Sequence, residues 1–257
     1  MQEKNIVVGL GEIGRPIFQL LSKHMPTVGY DIDPNLMKKK TNFEKSQYSF
    51  LHICIPFNKN FIKNVKALID KFNPKCVVIH STISPYITQQ LQNEFSIPII
   101  YSAIRGVHKR MLSDLKKYTK FYALEKNAPK KQWASKTFST ILKKCGVKTK
   151  KMSEPIALEL AKIVVDTSYY GWLINYAQLS NMIAKKHNVD YDEMWSFADE
   201  IHKFLGNRPK MYPGYIGGHC IIPNLDLISD KTLDLIKEIN LDYSKILSKR
   251  RKKGKKY

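Results

Sequence analysis

The sequence predicts an α/β protein: an N-terminal doubly wound parallel sheet, followed by a smaller all-α domain built on one long helix. Three observations carry that expectation. Over roughly the first 151 residues, short apolar runs alternate with helical stretches, the pattern of a parallel sheet covered on both faces. From Glu154 to about His187 the only proline is Pro155 and the only glycine is Gly171, so one helix of many turns is possible. Near Lys151 the first pattern gives way to the second.

Asn5-Ile6-Val7-Val8 is continuously apolar, as a strand buried on both faces should be. Glycines follow, then a helix from about Arg15 to Lys23. Thr27 to Asp31 reads as the second strand. Phe50 to Ile55 reads as the third, stopped by Pro56. Cys76 to His80, Pro98 to Tyr101 and Lys120 to Leu124 read as the fourth, fifth and sixth. A helix over Gln132 to Lys144 is expected to end at Gly146, a residue suited to a helix C-terminus. In the second half, Leu158, Ala161, Val165, Tyr169, Leu173 and Tyr176 recur at helical spacing. A shorter helix is expected over Tyr191 to Leu205, then a loop rich in proline and glycine over 209–223, then a last helix from about Lys231. The expected division is a sheet domain over 1–151, a helical domain over 152–248 and a disordered basic tail over 249–257.

Composition removes several classes. The 257 residues are 43% hydrophobic and 25% charged, which is globular rather than fibrous or disordered. No apolar run approaches the roughly 20 residues that cross a bilayer, and Met1 to Asn5 do not read as a signal peptide. Cys54, Cys76, Cys145 and Cys220 are scattered without a CxxC pair. No zinc or other metal site and no disulfide framework is therefore expected, and a reducing cytoplasm is. The formal net charge of +21 includes seven basic residues within 249–256. Such charge suits a polyanionic substrate or nucleic acid, or is a lysine-rich surface of biased composition; the latter reading suits most individual lysines.

Gly9-Leu10-Gly11-Glu12-Ile13-Gly14 is a G-x-G-x-x-G placed between a strand and a helix, with Asp31 ending the next strand. That context marks a dinucleotide site on a Rossmann fold. The first two glycines permit a tight turn and close approach to a pyrophosphate, and the third lets helix pack on strand. The helix N-terminus offers unpaired N–H groups to the phosphates. Asp31 suits the ribose hydroxyls and so favours NAD over NADP, although Lys38, Lys39 and Lys40 lie near enough in sequence to weaken that preference. Pro56, Ser81 and Thr82 are further cofactor-binding candidates.

Tyr212 to Asn224 is the most informative segment, with glycines that let backbone lie close to a ligand. Its run Pro213-Gly214-Tyr215-Ile216-Gly217-Gly218-His219-Cys220 resembles the catalytic cysteine motif of the UDP-glucose/GDP-mannose dehydrogenase family. The glycine motif, Tyr30-Asp31-Ile32-Asp33, Ser81-Thr82-Ile83-Ser84-Pro85 and Glu159-Leu160-Ala161-Lys162 follow the family order. The resemblance runs from about Ile6 to Asn224. It implies NAD-dependent oxidation of a sugar hydroxyl to a carboxylate in two steps, with a homodimer formed through the long helix. It implies Cys220 as the nucleophile that captures the aldehyde, Lys162 as the group that stabilises charge on the substrate oxygen, and Thr82 as a positioner of water.

This chain departs from the family in several places. Asp166 replaces an asparagine one turn after the lysine, where it could serve as a base. Ser102-Ala103-Ile104 lacks the glutamate linked to thioester hydrolysis, and Asn224 replaces an aspartate. The chain ends where the family begins its nucleotide-binding second Rossmann-like domain. Arg105 and His108 are candidates for contact with an anionic substrate, as are Tyr215, Gly217, Gly218, His219 and Asn224 on the loop. Cys54, Cys76 and Cys145 are read as small buried hydrophobes, and His52 and His80 as satisfied core histidines. Tyr169, Trp172 and Tyr176 are read as core or dimer contact. Two other functions stay open: a single-step 3-hydroxyacid dehydrogenase, which also uses a lysine from a long helix, and a non-catalytic NAD- or nucleic-acid-binding module.

Overall fold

The computed structural model describes residues 3–37, 43, 46–204 and 213–253. Two compact units divide the chain, Met1–Lys162 and Ile163–Tyr257.

The first unit is a seven-stranded sheet in the order β2-β1-β3-β4-β5-β6-β7. The strands are β1 (Lys4–Val8), β2 (Thr27–Tyr30), β3 (Tyr48–Ile53), β4 (Cys76–Ile79), β5 (Ile99–Tyr101), β6 (Lys120–Leu124) and β7 (Thr149–Lys151). Among them run α1 (Gly14–Ser22), α2 (Phe61–Phe72), α3 (Ile87–Glu94), α4 (Met111–Lys117) and α5 (Lys131–Lys144). Alternate strand residues serve opposite faces. Val7, Phe50, Val78 and Ile100 join one core with Leu20, Leu21 and Phe138. Ile6, Leu51, Val77 and Ile99 join the other with Phe61, Val65 and Leu91. Burial on both faces is why these strands read as unbroken apolar runs rather than as alternation.

The sheet is parallel from β2 through β5, but β6 runs antiparallel to β5, pairing Ile100 with Leu124 and Tyr101 with Ala123. The expectation of a parallel sheet is corrected there. The chain re-enters β6 at the end of the sheet where it left β5. Lys120, the first residue of β6, donates from Nζ to the carbonyls of Ser102 and Ala103 at 2.5 and 2.9 Å, just past the end of β5. A helix of seven residues, α4, spans only about 10 Å and does not return the chain to the start of β5. β7 then lies parallel to β6.

The long helix anticipated from Glu154 is α6 (Pro155–Leu160), a π-helical segment (Ala161–Ser168) and α7 (Tyr169–Lys186) in unbroken succession. The run Ile163-Val164-Val165 and Thr167 crowd the tighter α turn with β-branched side chains. Ser168 Oγ also donates back to the Val164 carbonyl at 2.5 Å.

The second unit packs α7 against α11 (Lys231–Lys253), with α10 (Ile222–Leu225) beside them. A Cβ on Gly171 would stand 3.2 Å from Ile236 Cγ2, so glycine lets α11 approach. Leu225, Leu233 and Ile236 form its core with Ile216 and Trp172. The face of α7 turned inward carries Asn175, Ala177, Gln178 and Asn181, while Tyr169 and Tyr176 are 57% and 64% exposed. The aromatic pair is therefore not core, because α7 buries an amide face that pairs with α11. The helix expected over Tyr191 to Leu205 is two, α8 (Tyr191–Ser196) and α9 (Asp199–Phe204), with Ala198 N–H bonding the Trp195 carbonyl in a tighter turn between them. Leu205 and Tyr212 lie outside the described residues. The basic segment expected to be disordered from Lys249 continues α11 as far as Lys253, and positive charge at a helix C-terminus is favourable to the helix dipole. The remainder of that segment, and Lys38 to Lys40, lie outside the described residues.

Candidate dinucleotide site and cysteine loop

The glycine motif forms the turn from β1 into α1. Gly9 has φ +87°, and a Cβ there would stand 2.8 Å from the Cys54 carbonyl oxygen. A Cβ on Gly14 would stand 1.6 Å from the Gly9 carbonyl oxygen. The protein's own packing demands glycine at both positions. Gly11 is different, since a Cβ there would meet nothing within 4 Å. Its lack of a side chain leaves open space over the backbone, the requirement for a pyrophosphate lying against it. At the start of α1 the N-cap is Ile13, with no side-chain capping bond, so the first N–H groups are not taken up by a capping side chain.

Asp31 follows β2. Its Oδ2 accepts from the Leu10 N–H at 2.6 Å and its Oδ1 from the Asp33 N–H at 3.0 Å. The carboxylate braces the glycine turn and keeps a second lone pair on each oxygen for further donors. Glu12 lies 2.6 Å from Nδ1 of His108, so the structure brings a cofactor candidate and a substrate candidate together. Ser81, just beyond β4, donates to the Ile55 carbonyl at 2.5 Å, tying the end of β4 to the segment that carries exposed Pro56. Thr82 is half-buried next to it. Exposed Arg105 donates from Nη2 to the Thr119 carbonyl at 2.7 Å, and its guanidinium lies 4.9 Å from the Phe121 ring centroid.

Glu159 is fully buried, and its carboxylate accepts from Tyr86 N–H (2.7 Å), Thr88 N–H (3.1 Å) and Thr88 Oγ (2.6 Å). This carboxylate caps α3 and fastens α6 to the first unit. Half-buried Lys162 and exposed Asp166 both fall in the π-helical segment, an irregularity frequent at functional sites.

Sequence reasoning passed over Lys120. It is buried, and burial, aided by the charges of Arg105 and Lys162, pushes its amine down to about 7. The only signal was a lysine opening an apolar strand. His52 Nδ1 and His80 Nε2 are 2.9 Å apart, and His80 Nδ1 meets the Ser102 carbonyl at 3.1 Å. Because that carbonyl only accepts, His80 Nδ1 carries the proton and His52 Nδ1 donates to His80. His52 Nε2 is then a buried acceptor without a partner among the described residues, so His80 is satisfied and His52 only in part. Burial holds the His52 imidazole down to about 3.

In the second unit, exposed Tyr215, Gly217, Gly218, His219 and Cys220 share one loop, with Gly218 at φ +74°. Asn224 Nδ2 donates to the Cys220 carbonyl at 2.6 Å, a bond that an ionised aspartate in its place has no proton to make. None of the four cysteines is in a disulfide. Cys76 and Cys145 are buried and Cys54 is partly so; burial pushes all three thiols up.

The architecture matches solved dehydrogenases. UDP-D-ManNAc dehydrogenase from Pyrococcus horikoshii superposes with a TM-score of 0.78 at 16% identity, covering 95% of this chain and 70% of that one. The fold is that of the nucleotide-sugar dehydrogenases. UDP-N-acetyl-mannosamine dehydrogenase from Staphylococcus aureus gives a TM-score of 0.74 at 18% identity over 98% of this chain and 70% of that one. The 3-hydroxyisobutyrate dehydrogenase of Mycobacterium tuberculosis gives 0.66 at 13% identity over 96% and 94%. No family model and no curated protein sequence matches the chain. Among the described residues, no helix is long and apolar enough to cross a membrane.

Proposed function

We propose that this chain is an NAD-dependent dehydrogenase that oxidises an alcohol carbon of an anionic sugar derivative, such as a nucleotide sugar or sugar phosphate. The observation that carries the reading is Gly11. Packing explains Gly9 and Gly14, whereas the open space over Gly11, beside a helix start without a capping side chain, fits a pyrophosphate. Backbone N–H groups of residues 9–14 would hold the phosphates, and Asp31 the ribose hydroxyls. Bound there, NAD supplies a hydride acceptor. The Lys162 ammonium would hold the substrate oxygen and offset the charge that grows on it as its proton leaves. Asp166 would serve as a base, and Thr82 would position water.

For a second oxidation, Cys220 sulfur would add to the aldehyde carbon, with the thiol proton passing to the carbonyl oxygen. The thiohemiacetal carbon, retained on the sulfur, would then give up a hydride to NAD and its hydroxyl proton to a base. That leaves a thioester, which water cleaves to the acid and the free thiol. His108, Arg105, Tyr215, Gly217, Gly218, His219 and Asn224 remain the substrate-side candidates. The outward stripe of Tyr169, Tyr176 and Ile183 on α7 supports a homodimer through that helix. Cysteines without disulfides fit a cytoplasmic setting.

A second reading is a single-step hydroxyacid dehydrogenase. It is supported by the match to nearly the full length of the mycobacterial enzyme, and by Ser102-Ala103-Ile104 standing where the family's glutamate would be. The test is NADH absorbance with UDP-sugars, GDP-sugars, sugar phosphates and 3-hydroxy acids offered in turn. Turnover of a sugar derivative supports the first reading; turnover of a 3-hydroxy acid alone replaces it with the second.

A further inference from the structure

We infer that Asn240, on α11, is the positioning residue of the Cys220 loop. The inference rests on reading Cys220 as the nucleophile, and its structural basis lies within the second unit. Asn240 is buried, and it meets both peptide groups of Ile216. Its Oδ1 accepts from the Ile216 N–H at 2.8 Å, and its Nδ2 donates to the Ile216 carbonyl at 3.0 Å. One side chain thus stands in for a neighbouring strand, at a point where the backbone has no such partner. Its neighbours complete the clamp. Gln178 Nε2 donates to the Gly214 carbonyl at 2.6 Å and to Asn240 Oδ1 at 3.3 Å, and Asn175 Nδ2 donates to Gln178 Oε1 at 2.7 Å. Tyr243 OH donates to the Pro213 carbonyl at 3.1 Å.

Side chains of α7 and α11 thus bond the backbone of 213–216 at Pro213, Gly214 and Ile216, and are linked to one another behind it. Buried amides are costly unless paired, and here three side chains, Asn240, Gln178 and Tyr243, bond one short segment whose single buried apolar anchor is Ile216. Four residues further on is Cys220, and its carbonyl is held in turn by Asn224. Between those two amide clamps lie Gly217, Gly218 and His219, with Gly218 at φ +74°. Fixing Ile216 fixes one end of the segment that presents the thiol, and Asn224 holds the other.

The amide is matched by a carboxylic acid only when that acid is protonated. In N240D the protonated side chain accepts from Ile216 N–H and donates to the Ile216 carbonyl; ionised, it has no proton to donate. The experiment follows amide hydrogen exchange at Ile216 and the iodoacetamide alkylation rate of Cys220, read by peptide mass spectrometry, in wild type, N240A and N240D across pH. Wild type is corrected for the ordinary pH dependence of exchange and of thiol ionisation. The expected result is Ile216 exchange faster by about tenfold in N240A, the scale of one lost buried hydrogen bond, with an altered alkylation rate. In N240D the carboxyl accepts from Ile216 N–H in either form, so Ile216 exchange should stay near wild type. Cys220 alkylation in N240D should match wild type at acid pH and depart from it once the carboxyl ionises and faces the Ile216 carbonyl. If N240A fails to fold, the pH dependence of N240D alone decides. A Cys220 alkylation rate that matches wild type in both variants at all pH values would overturn the inference. Neither readout needs a substrate, so a failure of the dehydrogenase reading remains distinguishable. In an active enzyme, ionising N240D lowers kcat for acid formation while leaving KM for NAD unchanged.

Discussion

Asp31 Oδ2 receives the Leu10 N–H at 2.6 Å, so the acid that ends β2 is bonded to the turn that would cradle the pyrophosphate. One carboxylate would serve two parts of a dinucleotide site: it shapes the glycine turn, and its remaining lone pairs would suit a ribose. Asp31→Asn keeps an acceptor for Leu10 and removes the charge. NAD affinity by calorimetry should fall about tenfold, on the scale of a charge-assisted hydrogen bond, while NADP affinity should fall less because a repulsive charge is gone.

The glycines separate fold from ligand. Gly14→Ala forces a carbon to within 1.6 Å of a carbonyl oxygen and should lower the thermal midpoint sharply, by several kcal/mol of stability. Gly11→Ala meets no protein atom within 4 Å and should leave the midpoint of the protein without NAD nearly unchanged, yet weaken NAD binding by at least about tenfold. Scanning calorimetry with and without NAD checks both.

Lys120 gives a pH signature. Its amine is pushed from 10.5 to about 7 by burial. Between those values the unfolded chain binds a proton that the folded chain lacks, so stability rises with pH across that window and is lost as pH falls through it. Urea midpoints measured from pH 7 to pH 10 should show wild type gaining stability relative to Lys120→Met, with a slope of up to about 1.4 kcal/mol per pH unit. Parallel curves would contradict the burial of a titrating amine.

Much of the sheet was legible because strands covered on both faces cannot hide their composition. Ile6 and Val7 serve opposite cores, so the run containing them stays apolar throughout. β7 was not legible: Thr149–Lys151 is short, and its lysines are exposed at the sheet edge. The reversal of β6 left no mark in the sequence either, since direction follows from where the connection re-enters the sheet. Helical spacing found the long helix but left open whether its aromatic stripe is core or contact surface, because a periodic stripe does not say whether protein or solvent lies over it. Trp172 packs against the core while Tyr169 and Tyr176 face outward. The inward amides Asn175, Gln178 and Asn240 look like ordinary surface polar residues until their partners are seen. Gly9, Gly14 and Asp31 were legible as parts of one turn because its tight geometry constrains both residue type and spacing.

The most direct test of the central claim is the number of NADH molecules formed per molecule of sugar substrate consumed, with Cys220→Ala measured beside wild type. The account predicts turnover of an anionic sugar derivative with two NADH per acid formed, and no acid from the variant. One NADH per substrate, unchanged by Cys220→Ala, would contradict a role for Cys220 and leave the single-step dehydrogenase in its place.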